Sequence, residues 1–322
     1  MSDPAWDNSP SLDCGGRVVP LDRPCVVGIV NVTPDSFSDG GRFDSLDKAV
    51  AHGLALAEAG AGMLDIGGES TRPGAPAISL DEELSRVIPV IEALAARCPL
   101  PLAIDTYKPE VMRAAAAAGA GMINDIYALR REGALLAAAE LGLPVCIMHM
   151  QGEPGTMQQA PDYTDVVGQV QRFLAERVLA CEFAGLDKRK VLVDPGFGFG
   201  KSVAHNLQLL SQLQRFQDMA GGLYVGLSRK SVLGAVTGRA APAQRAAASV
   251  AAALIAAQRG ARWIRVHDVA ETVDALAVWA AVAEHARVAA HVSTRPAAPT
   301  WPKAGSSSAP AARSGTTSTR KP

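Results

Sequence analysis

The sequence lacks the features that would place it on nucleic acid, in a membrane or outside the cell. Its 322 residues carry a net charge of −1, so no excess of positive charge favours nucleic acid or an anionic membrane surface. Five cysteines are scattered without a C-x-x-C pair, which is typical of a reducing compartment. Residues 1–12 lack the apolar core of a secretory signal, and the most apolar stretch, 246–257, is too short to span a bilayer.

What the chain contains is a repeated pattern of an apolar run, a polar loop and a helical segment. The first run has the β-branched content of a buried strand and ends at Asn31, before a loop of Thr, Pro, Asp, Ser and Gly. Strand–helix alternation implies parallel strands with helical crossovers. Eight such units within about 250 residues match a (β/α)8 or TIM barrel, a single α/β domain. An open doubly wound sheet is the alternative, because periodicity alone does not show closure.

The pattern also predicts element bounds. The predicted strands span residues 26–31, 63–67, 100–105, 121–125, 143–149, 190–194, 222–228 and 261–267. The predicted helices span residues 46–61, 80–97, 109–118, 132–141, 163–184, 205–217, 241–259 and 269–287. We predict a lead-in at 1–16, with a short strand possible at 16–20, then one barrel domain at 17–287. Residues 288–322 lack Asp and Glu and show no periodicity, so we predict a disordered tail.

Polar side chains stand at the carboxyl ends of the predicted strands, where parallel α/β proteins build their sites. Asp105, Asn124, Asp194 and Lys230 form a donor and acceptor array suited to a flat heterocycle with amino, oxo and ring N–H groups. Any one such aspartate is more often a helix cap or a turn former. The appearance of polar residues at all eight strand ends favours a site.

Two further residues predict an anion site beside this array. Arg265 and His267 are two positions apart on one predicted strand, so their side chains point to the same side. Together with Asn31 they suit a phosphate or diphosphate.

The glycine-rich segment 194–202 ends in Gly-Lys-Ser but does not have P-loop spacing, because Pro195 stands where the first glycine should be. It fails the dinucleotide-binding pattern as well. Its alternation of Gly and Phe suits a mobile loop that presents Phe197 or Phe199 to a ring-containing substrate. We expect His149 and Cys146 in the core rather than on a metal, because no metal-ligand spacing surrounds them.

Several long segments of this chain resemble, in the right order, those of the dihydropteroate synthase family. They are Asn31-Val32-Thr33-Pro34-Asp35-Ser36-Phe37-Ser38-Asp39-Gly40-Gly41, Gly67-Gly68-Glu69-Ser70-Thr71-Arg72-Pro73-Gly74, Ile123-Asn124-Asp125, Met148-His149-Met150, Asp194-Pro195-Gly196-Phe197-Gly198-Phe199-Gly200-Lys201, Ser228-Arg229-Lys230-Ser231 and Arg265-Val266-His267-Asp268. The resemblance runs from about residue 17 to residue 287. It implies a (β/α)8 barrel, a cytosolic homodimer and dependence on Mg²⁺. The implied reaction joins 6-hydroxymethyl-7,8-dihydropterin diphosphate to 4-aminobenzoate, giving 7,8-dihydropteroate and pyrophosphate in folate biosynthesis.

Carried over position by position, the resemblance also implies roles for residues. The implied pterin site comprises Asp105, Asn124, Met148, Asp194 and Lys230. The implied diphosphate site comprises Asn31, Arg265 and His267, with Asn31 also contacting Mg²⁺. The parts implied around the leaving group and 4-aminobenzoate are Asp35, Thr71, Arg72, Pro73, Phe199, Lys230 and Ser231. The residues expected to act in catalysis are Asn31, Asp35, Asp105, Asp194, Lys230, Arg265 and His267.

The chemistry of these residues suits an SN1-like route. Loss of pyrophosphate leaves positive charge on the pterin, which carboxylates stabilise while cations and Mg²⁺ stabilise the leaving group. A related barrel, the methyltransferase that uses methyltetrahydrofolate, would not need the diphosphate site or the Thr-Arg-Pro-Gly and Ser-Arg-Lys-Ser loops. A pterin-binding paralogue without catalysis would be expected to carry damage in the first two loops or near Phe199, and none is visible.

Overall fold

Eight parallel strands close into a barrel, so the predicted (β/α)8 fold is confirmed and the open sheet is excluded. The structure is a computed structural model that describes residues 10–33, 42–70, 76–153, 155–158 and 161–293, without the side chains of 42–45 and 287–293. The chain forms two compact units, Met1–Ala280 and Ala281–Pro322, and the barrel lies in the first. Residues 294–322 lie outside the described part, so the disordered tail and the domain bounds stay predictions.

Ten strands are described, two in an N-terminal hairpin and eight in the barrel. They are β1 (Ser11–Cys14), β2 (Arg17–Pro20), β3 (Cys25–Asn31), β4 (Met63–Gly67), β5 (Leu102–Asp105), β6 (Met122–Asp125), β7 (Val145–Met148), β8 (Val191–Asp194), β9 (Gly222–Val225) and β10 (Trp263–Val266). Neighbours along the chain pair in parallel from β3 to β10, and β10 pairs with β3 to close the barrel. Several strands are shorter than predicted, because apolar residues continue past the point where ladder pairing ends.

Nine α-helices within the described residues follow the predicted alternation. They are α1 (Arg42–Glu58), α2 (Leu80–Arg97), α3 (Pro109–Ala118), α4 (Ala134–Leu141), α5 (Val166–Phe183), α6 (Val203–Ser211), α7 (Ser231–Thr237), α8 (Ala246–Gln258) and α9 (Val269–Ser293). The bounds of α2 and α3 are the predicted ones. Ser79 caps α2 by accepting from the backbone N–H of Glu82, and Pro109 occupies the first turn of α3, where its missing N–H costs no hydrogen bond. The short α7 was not predicted.

The N-terminal hairpin of β1 and β2 covers the amino-terminal end of the barrel. The short strand predicted at 16–20 corresponds to β2, whereas β1 was not predicted. Leu12, Cys14 and Val19 are buried in one cluster with the lowest inward-facing barrel residues, among them Trp263. Cys14 lies so close to Gly121 that a Cβ there would approach its carbonyl oxygen to 2.1 Å.

Alternation along each strand separates the barrel interior from the layer under the helices. Outward-facing residues such as Val30, Ile66 and Ile104 join the main core with the helices. Inward-facing residues are apolar near the hairpin. One layer higher, toward the carboxyl ends of the strands, the inward-facing residues are polar. The site lies in this polar layer.

Candidate active site

The polar layer at the carboxyl ends of the strands is built by the inward-facing residues of neighbouring strands. Asp65 lies in register with Ile29 and Ala103 across the sheet, and Asp105 with Gly67 and Asn124. Asp194 pairs in register with Met148 on β7. The layer therefore contains one side chain from each of the five strands β4 to β8, namely Asp65, Asp105, Asn124, Met148 and Asp194.

Arg265 on β10 joins two carboxylates of this layer. Its Nε donates to Oδ2 of Asp65, and its Nη2 donates to Oδ2 of Asp105 at 2.8 Å. Asp65 is fully buried, while the side chains of Arg265 and Asp105 are 20 % and 15 % exposed. Burial alone would lower the pKa of Arg265, but the two carboxylates raise it, so the guanidinium keeps its charge. The sequence predicted Arg265 for a diphosphate; here it also neutralises the acidic layer.

Asp105, Asp194 and Lys230 have displaced pKa values. Burial raises the pKa of Asp105 to about 7, opposed by Arg265 and assisted by Asp65. Burial likewise raises the pKa of Asp194, opposed chiefly by Lys230. Burial lowers the pKa of Lys230 to about 8, opposed by Asp194. Displaced pKa values of opposite sign within one cleft are typical of an active site.

Asp65 was not among the predicted site residues. It accepts from Nδ2 of Asn124 at 3.0 Å as well as from Arg265, so it orients two residues that were predicted. Its second oxygen, Oδ1, is buried and has no hydrogen-bond partner among the described residues. A signal was present in the sequence, since Asp65 is the one charged residue in the otherwise apolar strand Met63–Gly67.

The glycine-rich loop after β8 differs from its prediction. Phe197 is fully buried in the main core. Phe199 packs with Met148 and Tyr127 beside the mouth of the barrel, that is, the end formed by the carboxyl ends of the strands. Nζ of Lys230 lies 4.6 Å from the centre of the Phe199 ring and donates to the carbonyl of Phe197. Of the two rings named by the prediction, Phe199 lies on the side of the loop next to the mouth, whereas Phe197 packs in the core.

Lys230 and its neighbours are fixed by a strained turn. Arg229 has a φ of 58°, an unfavourable conformation for a residue with a side chain. Its guanidinium pairs with Asp268, and its backbone N–H donates to Ser249. Ser231 follows as the first residue of α7. These contacts hold the turn in place, and Lys230 with it.

His267 and Asn31 complete the part of the mouth predicted for an anion. Nδ1 of His267 lies 3.0 Å from Oγ of Ser228, and the backbone N–H of His267 donates to the same oxygen. Asn31 ends β3 and is half-buried. The predicted residues Asp35, Thr71, Arg72 and Pro73 lie outside the described residues.

A second charged network stands at the start of the loop that follows β4. Nζ of Lys108 donates to Glu69 at 2.6 Å and also to the buried Glu83 of α2. The hydroxyl of Tyr107 donates to Glu69 at 3.0 Å. Its ring meets Tyr127 edge to face, with 4.9 Å between centroids. Glu69 and Lys108 were missed because each, read alone, is an ordinary surface charge.

His149 and Cys146 lie in the interior as expected. Both are buried, and burial lowers the pKa of His149 to about 2, so the imidazole is neutral. Among the described residues, no group of three or more His, Cys, Asp or Glu side chains is arranged to hold a metal ion.

The profile described as pterin binding enzyme matches residues 27–267, which run from β3 to just past the end of β10. A polar, partly charged pocket in the mouth of a (β/α)8 barrel is where this class of enzyme would be expected to hold a flat heterocycle.

Named relatives narrow the class. The dihydropteroate synthase of Escherichia coli strain K12 is 54 % identical over 263 residues, covering 82 % of this chain and 93 % of that protein. That of Haemophilus influenzae is 50 % identical over 272 residues, covering 84 % and 98 %. The solved structure of Xanthomonas albilineans dihydropteroate synthase with 4-aminobenzoic acid has 64 % identity and a TM-score of 0.81, covering 85 % and 98 %. The chain belongs to the dihydropteroate synthase family and is a transferase of folate synthesis.

A search for membrane spans in the described part of the chain finds no single helix that is long and apolar enough. By length and composition alone, one pair passes, Ser231–Thr237 with Pro242–Gln258, bent by 73°.

Proposed function

We propose that this chain joins 6-hydroxymethyl-7,8-dihydropterin diphosphate to 4-aminobenzoate, releasing pyrophosphate and 7,8-dihydropteroate. The observation that carries the proposal is the layer of half-buried Asp105 and buried Asn124 and Asp194 beside Lys230, at the mouth of a barrel of this family. Another structure of the Xanthomonas albilineans enzyme contains 7,8-dihydropteroate and aligns with this chain at 60 % identity. The pterin ring offers the amino, oxo and ring N–H groups that such a layer can bind.

In this proposal, Asp105 and Asp194 accept hydrogen bonds from the pterin, while Asn124 and Lys230 donate to it. Asp194 is already oriented by the backbone N–H of Gly196, which donates to its Oδ1 at 2.7 Å. Met148, which is 4 % exposed, supplies an apolar wall for the ring. Carboxylates fixed in place before the reaction stabilise the positive charge that develops on the pterin.

Arg265, His267 and Asn31 are proposed to hold the diphosphate. The third nitrogen of the Arg265 guanidinium, Nη1, has no partner in the described part of the chain and is available to a phosphate oxygen. As the diphosphate leaves, Arg265 stabilises the negative charge while its other nitrogens remain on Asp65 and Asp105. The same guanidinium thus links the leaving group to the ring site.

Magnesium is the proposed cofactor, and the residues fit an ion that is held mainly by the substrate phosphates and water. The described residues offer no cluster of three ligands, but Mg²⁺ is commonly held by one or two protein oxygens together with substrate phosphates and water. Asn31 would supply a protein oxygen at the mouth. When bound, Mg²⁺ would neutralise charge on the leaving diphosphate.

The aryl amine needs little activation, because it is unprotonated at neutral pH. Phe199 and Ser231, together with Thr71, Arg72 and Pro73, are the proposed 4-aminobenzoate contacts, and Asp35 is proposed to act with the loop after β3. Closure of the two loops would exclude water, which would otherwise trap the cation. A Yersinia pestis dihydropteroate synthase of 51 % identity was solved with a sulfonamide drug, so we propose the same sensitivity here.

A homodimer and a cytoplasmic location complete the proposal. All five cysteines are unpaired and buried, which supports a reducing compartment. Exposed apolar residues on the three last helices support a subunit interface there, namely Val236, Ile255 and Val278.

The test is release of pyrophosphate from the pterin diphosphate and Mg²⁺, with and without 4-aminobenzoate, and detection of product by mass spectrometry. Release that depends on the aryl amine and yields dihydropteroate supports the proposal. Tight pterin binding without product would instead favour a paralogue that has lost catalysis.

Asp105→Asn tests the placing of the pterin. The substitution keeps the size of the side chain but removes the carboxylate that pairs with Arg265. We expect kcat/KM for the pterin diphosphate to fall about 100-fold. Asp187→Asn is the matched control, because Asp187 pairs with Arg189 on the surface. Unchanged turnover in Asp105→Asn would place the pterin elsewhere.

A further inference from the structure

Lys201 is a buried lysine that the proposed reaction does not use. It is 3 % exposed. Its Nζ donates to the carbonyls of Gly196 at 2.8 Å and Phe199 at 3.0 Å, and it lies 2.9 Å from Nδ1 of His149. The carbonyl of His149 is a further acceptor, at 3.3 Å. A lysine placed so deeply needs such partners, because an unpaired buried donor is costly.

The loop from Gly196 to Gly200 has a side-chain donor on every carbonyl. Lys201 binds the first and fourth, Lys230 binds that of Phe197, and Gln158 and Tyr163 bind the remaining two. The N–H of Gly198 donates to Asn206 at 2.7 Å. A loop with so many fixed carbonyls is preorganised, contrary to the mobile loop predicted from its glycines.

Those glycines instead allow close contact with the segment after β7. Gly196 and Gly200 have positive φ, and a Cβ at either would lie 1.8 Å from the carbonyl of His149 or 2.3 Å from that of Gln151. Lys201 stands where these two segments meet. Phe173 of α5 meets the His149 ring edge to face at 4.9 Å, so both partners of the lysine are themselves fixed.

The loop held in this way touches both halves of the proposed site. The N–H of Gly196 orients Asp194, the proposed pterin contact. At the other end, Phe199, the proposed 4-aminobenzoate contact, lies below Lys230. Lys201 donates to the carbonyls of Gly196 and Phe199, the two loop residues that contact the proposed pterin and 4-aminobenzoate parts of the site.

We propose that Lys201 is a positioning residue: its Nζ, bound to His149 and to the carbonyls of Gly196 and Phe199, fixes the loop so that Phe199 is placed for the aryl amine. The inference rests on the proposed function. Burial lowers the pKa of Lys201 well below its ordinary value, and the nearby carboxylate of Asp194 opposes that shift. The lysine touches neither proposed substrate, so it acts only through the loop.

The test compares Lys201→Met with Lys201→Gln in the full chain. Methionine and glutamine are both one atom shorter than lysine, but methionine has no donor, whereas glutamine keeps two N–H groups. We expect Lys201→Met to raise KM for 4-aminobenzoate about tenfold, with kcat changed less than about threefold, because the wall for the second substrate is displaced. Lys201→Gln should recover part of that loss.

Lys190→Met is the matched control. Nζ of Lys190 also donates to a carbonyl, that of Gly142 at 2.8 Å, but at the opposite end of β8. Lys190→Met should leave KM for 4-aminobenzoate unchanged. Tyr163→Phe removes the hydroxyl that donates to the carbonyl of Gly200. We expect it to raise KM for 4-aminobenzoate by a smaller factor than Lys201→Met does. This variant keeps the proposal testable if Lys201→Met does not fold.

Two results would overturn the inference: KM for 4-aminobenzoate unchanged in Tyr163→Phe and in every Lys201 variant that folds, or the same rise in Lys190→Met. Wild-type turnover separates this failure from a failure of the proposed function. If the unmodified chain makes no dihydropteroate, the reaction is wrong; if it does and the variants keep their KM, only the role of Lys201 is wrong.

Discussion

At the scale of single residues, the site is a balance of buried charges. Three aspartates, Asp65, Asp105 and Asp194, share the interior with Arg265 and Lys230. Removal of Arg265 would leave Asp65 and Asp105 without their ion-pair partner, which is strongly destabilising. Removal of Lys230 would take away the charge that chiefly opposes the raised pKa of Asp194. The mouth is therefore prepared for a ligand that brings both hydrogen-bond donors and negative charge.

These charges predict a bell-shaped pH profile. The pKa of Asp105 is raised to about 7, so its carboxylate is ionised only above that pH, and the pKa of Lys230 is lowered to about 8, so its ammonium is charged only below it. We expect kcat/KM for the pterin diphosphate to rise as pH increases through about 7 and to fall beyond about 8. Steady-state rates across this range measure both limbs.

Lys230→Arg identifies the alkaline limb. Arginine stays charged at all accessible pH values, so the fall above pH 8 should disappear even if the overall rate is lower. An alkaline limb that stays in place would assign it to another group.

The sequence identified most of this array because polar residues at the ends of apolar strands are conspicuous. Asp105, Asn124, Asp194 and Lys230 were found in that way. Asp65 was not selected, since its partners, Asn124 and Arg265, are 59 and 200 residues away along the chain. No local pattern records a contact made only when the barrel closes. The roles given to the individual residues remain proposals.

At the scale of elements, the glycine-rich loop is sensitive to substitution at Gly196. Gly196→Ala would bring a Cβ within 1.8 Å of the His149 carbonyl at a φ of 71°. We expect the free energy of unfolding to fall by more than about 3 kcal/mol, since the strain and the clash act together. Urea denaturation measures the change.

Gly142→Ala provides the comparison for that prediction. Gly142 also has positive φ, 60°, but a Cβ there would meet nothing within 4 Å. Only the backbone strain remains, so the loss should be about 1 kcal/mol. Equal losses at the two positions would mean that the loop can move away from His149.

Element prediction succeeded where local signals are strong and failed where they are short. Ser79 and Pro109 fixed the starts of α2 and α3. The four-residue β1 and the seven-residue α7 left no readable period. The choice between Phe197 and Phe199 was left open because alternation of Gly and Phe does not say which ring faces the core.

At the scale of the whole molecule, the proposed homodimer predicts an interface on the last helices. Val278 of α9 is 65 % exposed, and Val236 and Ile255 are also exposed. A charge at such a position would be buried on association, so we expect Val278→Glu to shift the protein toward monomer in sedimentation velocity.

Phe183→Glu is the control, because Phe183 on α5 is 88 % exposed but lies on a different helix. It should leave the sedimentation coefficient unchanged. Dissociation by this variant alone would move the interface to α5.

The hairpin at the amino-terminal end of the barrel affects how substrates and products reach the site. Because Leu12, Cys14 and Val19 pack against the lowest interior residues, the described residues close the amino-terminal end of the barrel. Substrates are therefore expected to arrive, and products to leave, at the carboxyl ends of the strands. Release of pyrophosphate and arrival of the aryl amine then share one side of the barrel.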